Sequence, residues 1–229
     1  MKKKFLLFDV DHTLMDFSAT EKKGLKKCFD SFGIPFTEEI FSWYLSHNHK
    51  LWAKYESGTI PRDLIFQNRF ADTFSQFSIK ADGNLMEKAY RQALSEGIDL
   101  IENALDIVAK LYKTHELYIV TNGLASTQEK RLQDSGLAPF FKGIFVSEVI
   151  GLQKPMTEYF NYCFERIPNF QKEEALIIGD SLSSDIQGGM RAGIDSCWFN
   201  PNGIINETAF QPTCEIRSLT ELLPLLEVL

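Results

Sequence analysis

Short apolar runs recur along the chain, and most of them end in a polar residue. Residues 4–9 read Lys-Phe-Leu-Leu-Phe-Asp, four apolar positions closed by a carboxylate. A strand covered on both faces of a parallel sheet has this continuous character, because neither of its faces meets water. Similar runs occur at residues 117–120, 144–146, 175–178 and 196–199. Between them the spacing turns helical. Segment 104–112 brings Leu105, Val108 and Leu111 or Tyr112 to one face. Segment 126–135 is polar and amphipathic and stops at Gly136. Segment 157–164 is a third such stretch. Strand–helix alternation predicts an α/β fold, a Rossmann-like parallel sheet joined by right-handed crossovers. A last short strand is expected at residues 214–216 and a helix from Leu219.

Residues 16–96 break the alternation and read as four helices. Ser18-Ala19-Thr20-Glu21 has the form of a capping box, followed by a stripe of Leu25, Cys28, Phe29 and Phe32, with Gly33 as the stop. Thr37 is placed to cap a second helix carrying Phe41, Tyr44, Leu45, Leu51, Trp52 and Tyr55. Gly58 and Pro61 precede a third, with Leu64, Ile65, Phe70 and Phe74, and a fourth spans about 85–94. The economical description is a helical domain, 16–96, inserted into an α/β core made of 1–15 and 97–229. The insert is expected to lie over the C-terminal ends of the strands, as a lid whose closure excludes water.

The polar ends of the runs carry the candidate chemistry. Asp9 and Asp11 lie two apart in an extended segment, so both carboxylates point to one side. One could attack a phosphorus while the other handles a proton; equally, the pair could cap a turn. Thr121 closes the second run, and its hydroxyl, with the backbone amides of Asn122 and Gly123, could cradle phosphate oxygens or start a helix. Lys154 precedes Pro155 in a loop and offers a point charge, or a surface lysine. Gly179-Asp180-Ser181 ends the fourth run, and Asp185 follows it. Parallel strand ends lie side by side, so these segments should meet in one crevice. Grouped carboxylates need a counter-charge there, and Mg²⁺ suits carboxylates together with a phosphate oxygen.

Composition narrows the picture. The chain has 229 residues, 44% of them hydrophobic, with a formal charge of −7. That balance disfavours a nucleic-acid polymer as partner. Cys28, Cys163, Cys197 and Cys214 are scattered, which reads as reduced buried thiols. The apolar run after Lys2-Lys3-Lys4 is too short for a signal peptide, and no stretch reaches a membrane span of roughly 18 apolar residues. The expectation is a cytoplasmic protein with no membrane partner, a monomer or small homo-oligomer, acting on a small phosphorylated metabolite.

Taken in order, the four segments resemble those of the haloacid dehalogenase superfamily of phosphohydrolases, over essentially the whole chain. The resemblance implies the HAD-like α/β core with a four-helix cap. It implies Asp9 as nucleophile and Asp11 as general acid/base. Thr121, Asn122 and Lys154 would hold the phosphoryl group, and Asp180 a magnesium ion together with Asp9 and the Asp11 carbonyl. Asp185, Gly123 and Ser181 would support them. The presence of Asp11 sets aside the metal-independent dehalogenases, and the absence of membrane helices sets aside the ion pumps. In the insert, Asn48, Leu51-Trp52, Tyr55, Gly58 and Arg69 look like the pyrimidine 5′-nucleotidase branch. So do segment 128–136, segment 185–189, Ala192-Gly193 and Cys197-Trp198. One departure is Ile101-Glu102-Asn103-Ala104, where relatives often enter the second hinge through Pro-Gly.

Asn48 interrupts an apolar stripe and needs a partner, within the helices or on a base or sugar. Trp52 is read as packing or stacking on a base, and His12 as a loop residue near the nucleophile or a contact to the substrate. The leading expectation is a magnesium-dependent 5′-nucleotidase. The alternatives are a phosphatase of a sugar phosphate or phosphoglycolate, a phosphomutase, and a non-catalytic binding protein on the same fold.

Overall fold

A computed structural model describes residues 2–229. β1 (Phe5–Phe8) is followed by four helices: α1 (Phe17–Ser31), α2 (Glu38–Glu56), α3 (Arg62–Gln76) and α4 (Gly83–Ser95). The alternation then resumes with α5 (Ala104–Leu111), β2 (Glu116–Thr121), α6 (Ala125–Asp134), β3 (Gly143–Val146), α7 (Ser147–Ile150) and α8 (Thr157–Phe164). β4 (Ala175–Gly179), α9 (Gln187–Ala192), β5 (Asp195–Phe199), β6 (Cys214–Ile216) and α10 (Leu222–Val228) complete it. The chain forms two compact units, one holding the segment up to Phe17 with Ile98–Leu229, the other Ser18–Gly97.

In the first unit all six strands run parallel, in the order β3-β2-β1-β4-β5-β6. The apolar runs are continuous because each strand is covered on both faces. Leu6, Phe8, Leu117, Ile119, Leu176 and Ile178 fill one core. Their neighbours Phe5, Leu7, Tyr118, Val120, Ala175 and Ile177 fill the other. Register aligns the strand ends, with Phe8 beside both Ile119 and Ile178. The chain order reverses at β1, since β2 and β3 lie on one side of it and β4 to β6 on the other. In such sheets a crevice opens outside the carboxyl ends of the strands at the reversal.

α5 differs from its expected phase. Its buried stripe is Ala104, Ile107, Val108 and Leu111, while Leu105 and Tyr112 are exposed. The helix starts from Asn103 in a left-handed conformation (φ 62°), and this sets which residues face the sheet. Segment 126–135 does become a helix, but a polar face is turned inward: Gln128 and Arg131 are buried with Leu132. Beyond Asp180 the chain forms a π-helical turn, Leu182–Ile186, and then the short α9, which ends at Gly193.

The helical unit keeps its expected caps except the first. Thr37 accepts from the Ile40 amide (3.3 Å) at the start of α2. The capping box at Ser18 does not form, because α1 begins at Phe17 and Ser18 lies within it. Glu21 is instead buried, accepting from Tyr90 Oη (2.9 Å) and Asn48 Nδ2 (3.3 Å). Arg69, 3% exposed, makes a bidentate pair with Glu87 (2.7 and 2.8 Å), with its guanidinium over the Tyr90 ring. Four free cysteines lie among the described residues, three of them buried. No helix among those residues is long and apolar enough to cross a membrane.

Candidate active site

Asp9 is the first residue beyond β1, and its amide donates to Ile178 O (2.9 Å), which ties it to the end of β4. The chain then turns tightly. The amides of Leu14 and Met15 both donate to Val10 O (2.9 Å each), and His12 takes up a left-handed φ of 63°. This turn brings Thr13 Oγ1 within 3.5 Å of both Asp9 Oδ2 and Asp180 Oδ1. The His12 ring packs edge-on against Phe17.

Lys154 is 1% exposed. Its ammonium donates to Asp9 Oδ1 (2.6 Å), Asp185 Oδ1 (2.6 Å) and Val120 O (2.8 Å). An ammonium has three protons, so all three are directed by protein acceptors. The loop that presents it is held by Asn122, whose side chain grips the Lys154 backbone in both directions: Nδ2 donates to its carbonyl and Oδ1 accepts from its amide (3.0 Å each). The side chain of Asn122, and not only its amide, therefore builds the site.

Asp185 has both oxygens engaged, the second accepting from the Ser181 amide (3.1 Å). Its carboxylate lies over Gly179, where a Cβ would overlap it. Ser181 also caps the π-helical turn, accepting from the Ser184 amide (3.2 Å). Trp198 on β5 donates Nε1–H to the Asp180 carbonyl (2.8 Å) and so fixes the loop beyond β4.

Thr121 Oγ1 accepts from the Gly123 amide (3.1 Å) and from Gln128 Nε2 (3.0 Å). A hydroxyl accepts two hydrogen bonds and donates one, so the Thr121 proton is left for a third partner. Asp11 faces α6. Its Oδ1 accepts from Arg131 Nη1 (2.5 Å) and its Oδ2 from Gln128 Nε2 (2.8 Å). Gln128 and Arg131 fall in segment 128–136, which carries part of the resemblance but gave neither residue a role in the site. Their signal was present: they share the buried stripe of α6 with Leu132, where apolar residues are expected.

Charge is unevenly balanced. Burial pushes the Asp9 carboxyl up to about 7, with the Asp185 and Asp11 charges adding to the rise and Lys154 opposing it. Burial, then Asp9 and Asp185, holds the Asp180 carboxyl well above the ordinary carboxylate range. Burial raises the Asp11 carboxyl, but the Arg131 charge and hydrogen bond, the His12 charge and the Gln128 hydrogen bond together outweigh it and leave that group below its usual value. Burial is overcome at Lys154 by Asp185 and Asp9, which raise its pKa.

Asp9, Asp180 and Asp185 each offer a carboxylate oxygen, and these atoms all lie within 4.8 Å of one another. Three carboxylates around one ammonium leave an excess of negative charge, and hard oxygen donors fit a divalent cation such as magnesium. Asp185 is tied closely to Lys154 and the Ser181 amide (2.6 and 3.1 Å), whereas Asp9 Oδ2 and Asp180 Oδ1 meet the Thr13 hydroxyl at a long 3.5 Å.

Two residues of the insert have local roles. Asn48 is buried and donates to Glu21, while its Oδ1 has no hydrogen-bond partner. Trp52 packs edge-on against Tyr55 and Phe66.

A family model described as haloacid dehalogenase-like hydrolase matches residues 6–199. The chain is 50% identical to the HAD-hydrolase YfnB of Bacillus subtilis, over 97% of this chain and 95% of that one. It is 38% identical to the pyrimidine 5′-nucleotidase PynA of Streptococcus pneumoniae, over 98% and 95%. To the pyrimidine 5′-nucleotidase YjjG of Escherichia coli it is 31% identical, over 99% of each. Its fold superposes on the crystal structure of YfnB bound to magnesium with a TM-score of 0.95, at 48% identity, covering 99% of this chain and 100% of that one.

Proposed function

The chain belongs to the haloacid dehalogenase-like hydrolase family, and from that premise we propose that it is a magnesium-dependent phosphatase of nucleoside 5′-monophosphates, pyrimidine ones foremost. The observation that carries the reaction is the pairing at the sheet reversal. A nearly buried Asp9 carboxylate is held by Lys154 at 2.6 Å, with Asp180 and the Thr121 hydroxyl at the neighbouring strand ends. The nucleotide preference is supported by the two nucleotidases at 38% and 31% identity, and the metal by the carboxylate cluster and by the magnesium bound to YfnB.

In this reading the Asp9 carboxylate attacks phosphorus. The P–O bond to the nucleoside breaks, and the departing oxygen takes a proton from Asp11, whose protonated form the negative charge of the bound phosphate would favour against the pull of Arg131. Water then attacks the aspartyl-phosphate, gives its proton back to Asp11, and phosphate leaves with Asp9 restored. The free proton of Thr121 donates to a phosphoryl oxygen. Lys154 balances the charge of Asp9 before attack, and Asn122 keeps that ammonium in place. Asp9 and Asp180, with the Asp11 carbonyl, would hold magnesium, which supplies positive charge to the phosphoryl oxygens. Asp185 orients Lys154 and is a supporting residue.

Phosphate release from p-nitrophenyl phosphate with magnesium present is the direct test. Asp9→Asn is expected to reduce it to background, and activity near wild type would overturn the mechanism. A panel of nucleoside monophosphates, sugar phosphates and phosphoglycolate tests the substrate. The highest kcat/KM should fall on a pyrimidine nucleotide, and a clear preference for a sugar phosphate or phosphoglycolate would overturn that part.

A further inference from the structure

Two side chains of α6 have no part in the steps above, yet they hold the proposed proton carrier. Arg131 is fully buried and donates Nη1–H to Asp11 Oδ1 at 2.5 Å. Gln128, three residues earlier on the same helix face, donates Nε2–H to Asp11 Oδ2 at 2.8 Å. Each oxygen of Asp11 thus has its own donor. The amide of Gln128 is itself oriented, because its Oε1 accepts from Arg131 Nη1 (3.1 Å) and a guanidinium only donates. That leaves the Gln128 NH₂ to reach both Asp11 and Thr121 Oγ1 (3.0 Å). Gly123 completes the arrangement, since a Cβ there would overlap the Gln128 amide.

A merely structural role would be filled more simply by an apolar residue. Burying an arginine costs several kcal/mol unless its partners compensate, and packed hydrophobic replacements are often as stable or more so. Here the buried charge is paired with a carboxylate that lies in a turn beyond a strand end, where the side chain would otherwise sample several rotamers.

We propose that Gln128 and Arg131 are positioning residues that fix the Asp11 carboxylate for proton transfer to the departing oxygen and couple it to the phosphoryl-binding hydroxyl of Thr121. The proposal rests on the reading of Asp11 as the proton carrier. It makes a selective demand. A leaving group that needs a proton, such as the alkoxide of a nucleoside or sugar, depends on the alignment of Asp11. p-Nitrophenolate departs without one and depends on it less.

The experiment compares kcat/KM, with magnesium present, for p-nitrophenyl phosphate and for the best alkyl phosphate of the panel above. This parameter reports the steps up to formation of the phosphoenzyme. Asp11→Asn should lower the alkyl phosphate value on the order of 10²-fold or more beyond its effect on p-nitrophenyl phosphate, the usual range for lost general acid catalysis. Arg131→Met and Gln128→Met should show the same selectivity, about tenfold, and Arg131→Lys should recover part of it. Equal losses on both substrates in the Gln128 and Arg131 variants, with Asp11→Asn still selective, would overturn the inference and leave the proposed function standing. No selectivity in Asp11→Asn would overturn the reading beneath it, and the inference with it. Should Arg131→Met not fold, Gln128→Met alone decides by the same criterion.

Discussion

At the scale of single residues, the site depends as much on atoms left out as on groups put in. Gly179 leaves room for the Asp185 carboxylate that holds Lys154. In Gly179→Ala the Asp185 side chain must move, and overpacking of this kind typically costs about 1–3 kcal/mol. We expect a lowered urea midpoint and a loss of phosphatase activity larger than the loss of stability explains. Gly24 is the contrast. It lies inside α1, and an added methyl would meet Ala93 at an ordinary 3.5 Å. Gly24→Ala should raise stability by about 0.5–1 kcal/mol through helix propensity, and the urea midpoint with it. A Gly179→Ala protein as stable and active as wild type would show that Asp185 is not needed where it stands. The acidic and basic residues of the crevice were legible in the sequence because strand ends in a parallel sheet must converge. The roles of Gln128, Trp198 and the Asn122 side chain were not, since each acts through a contact between segments far apart in the chain.

At the scale of elements, the strands were read within a residue or so of their bounds, because a strand covered on both faces has no polar alternation to confuse it. The helices were less legible where polar residues turn inward. Glu21 looked like part of a capping box and is instead a buried acceptor for α2 and α4 side chains. The same holds for Arg69 and Glu87, which join α3 to α4 across the interior of the helical unit. Removing one member of a buried pair strands the other, at a cost of about 3–5 kcal/mol. Glu87 keeps a second partner in Arg91 (2.6 Å), so Arg69→Leu should fall at the lower end of that range. The double variant Arg69→Leu/Glu87→Leu should be more stable than Arg69→Leu alone, since Arg91 is exposed enough to return to water. Chemical denaturation of the wild type, Arg69→Leu, Glu87→Leu and the double variant measures the difference. Additive losses would show that the two side chains do not act as a pair.

At the scale of the whole molecule, a crevice overloaded with carboxylates in a chain of charge −7 makes stability depend on pH and, on the proposed function, on magnesium as well. Without metal, the Asp9 carboxyl titrates near 7 in the folded protein and near 3.8 when the chain is unfolded. Between these values the folded state carries a proton that the unfolded state has lost. Stability from this group is therefore fully present below about pH 4 and declines as pH rises toward 7. Asp9→Asn has no such group. In a chelator, the wild type should lose stability relative to Asp9→Asn as pH rises from about 4 to about 7, and the gap should then stay level. On the proposed function magnesium should act in the opposite sense, because it would bind the ionised carboxylates of the folded state. At a concentration about 100 times its Kd it should stabilise the wild type at neutral pH by about 2.7 kcal/mol, and Asp9→Asn by much less. Thermal melts of both proteins across that pH range, with chelator and with magnesium, separate the two effects. Parallel curves for the two proteins in chelator would refute the titration of Asp9. An equal magnesium shift in both would place the ion somewhere other than on Asp9.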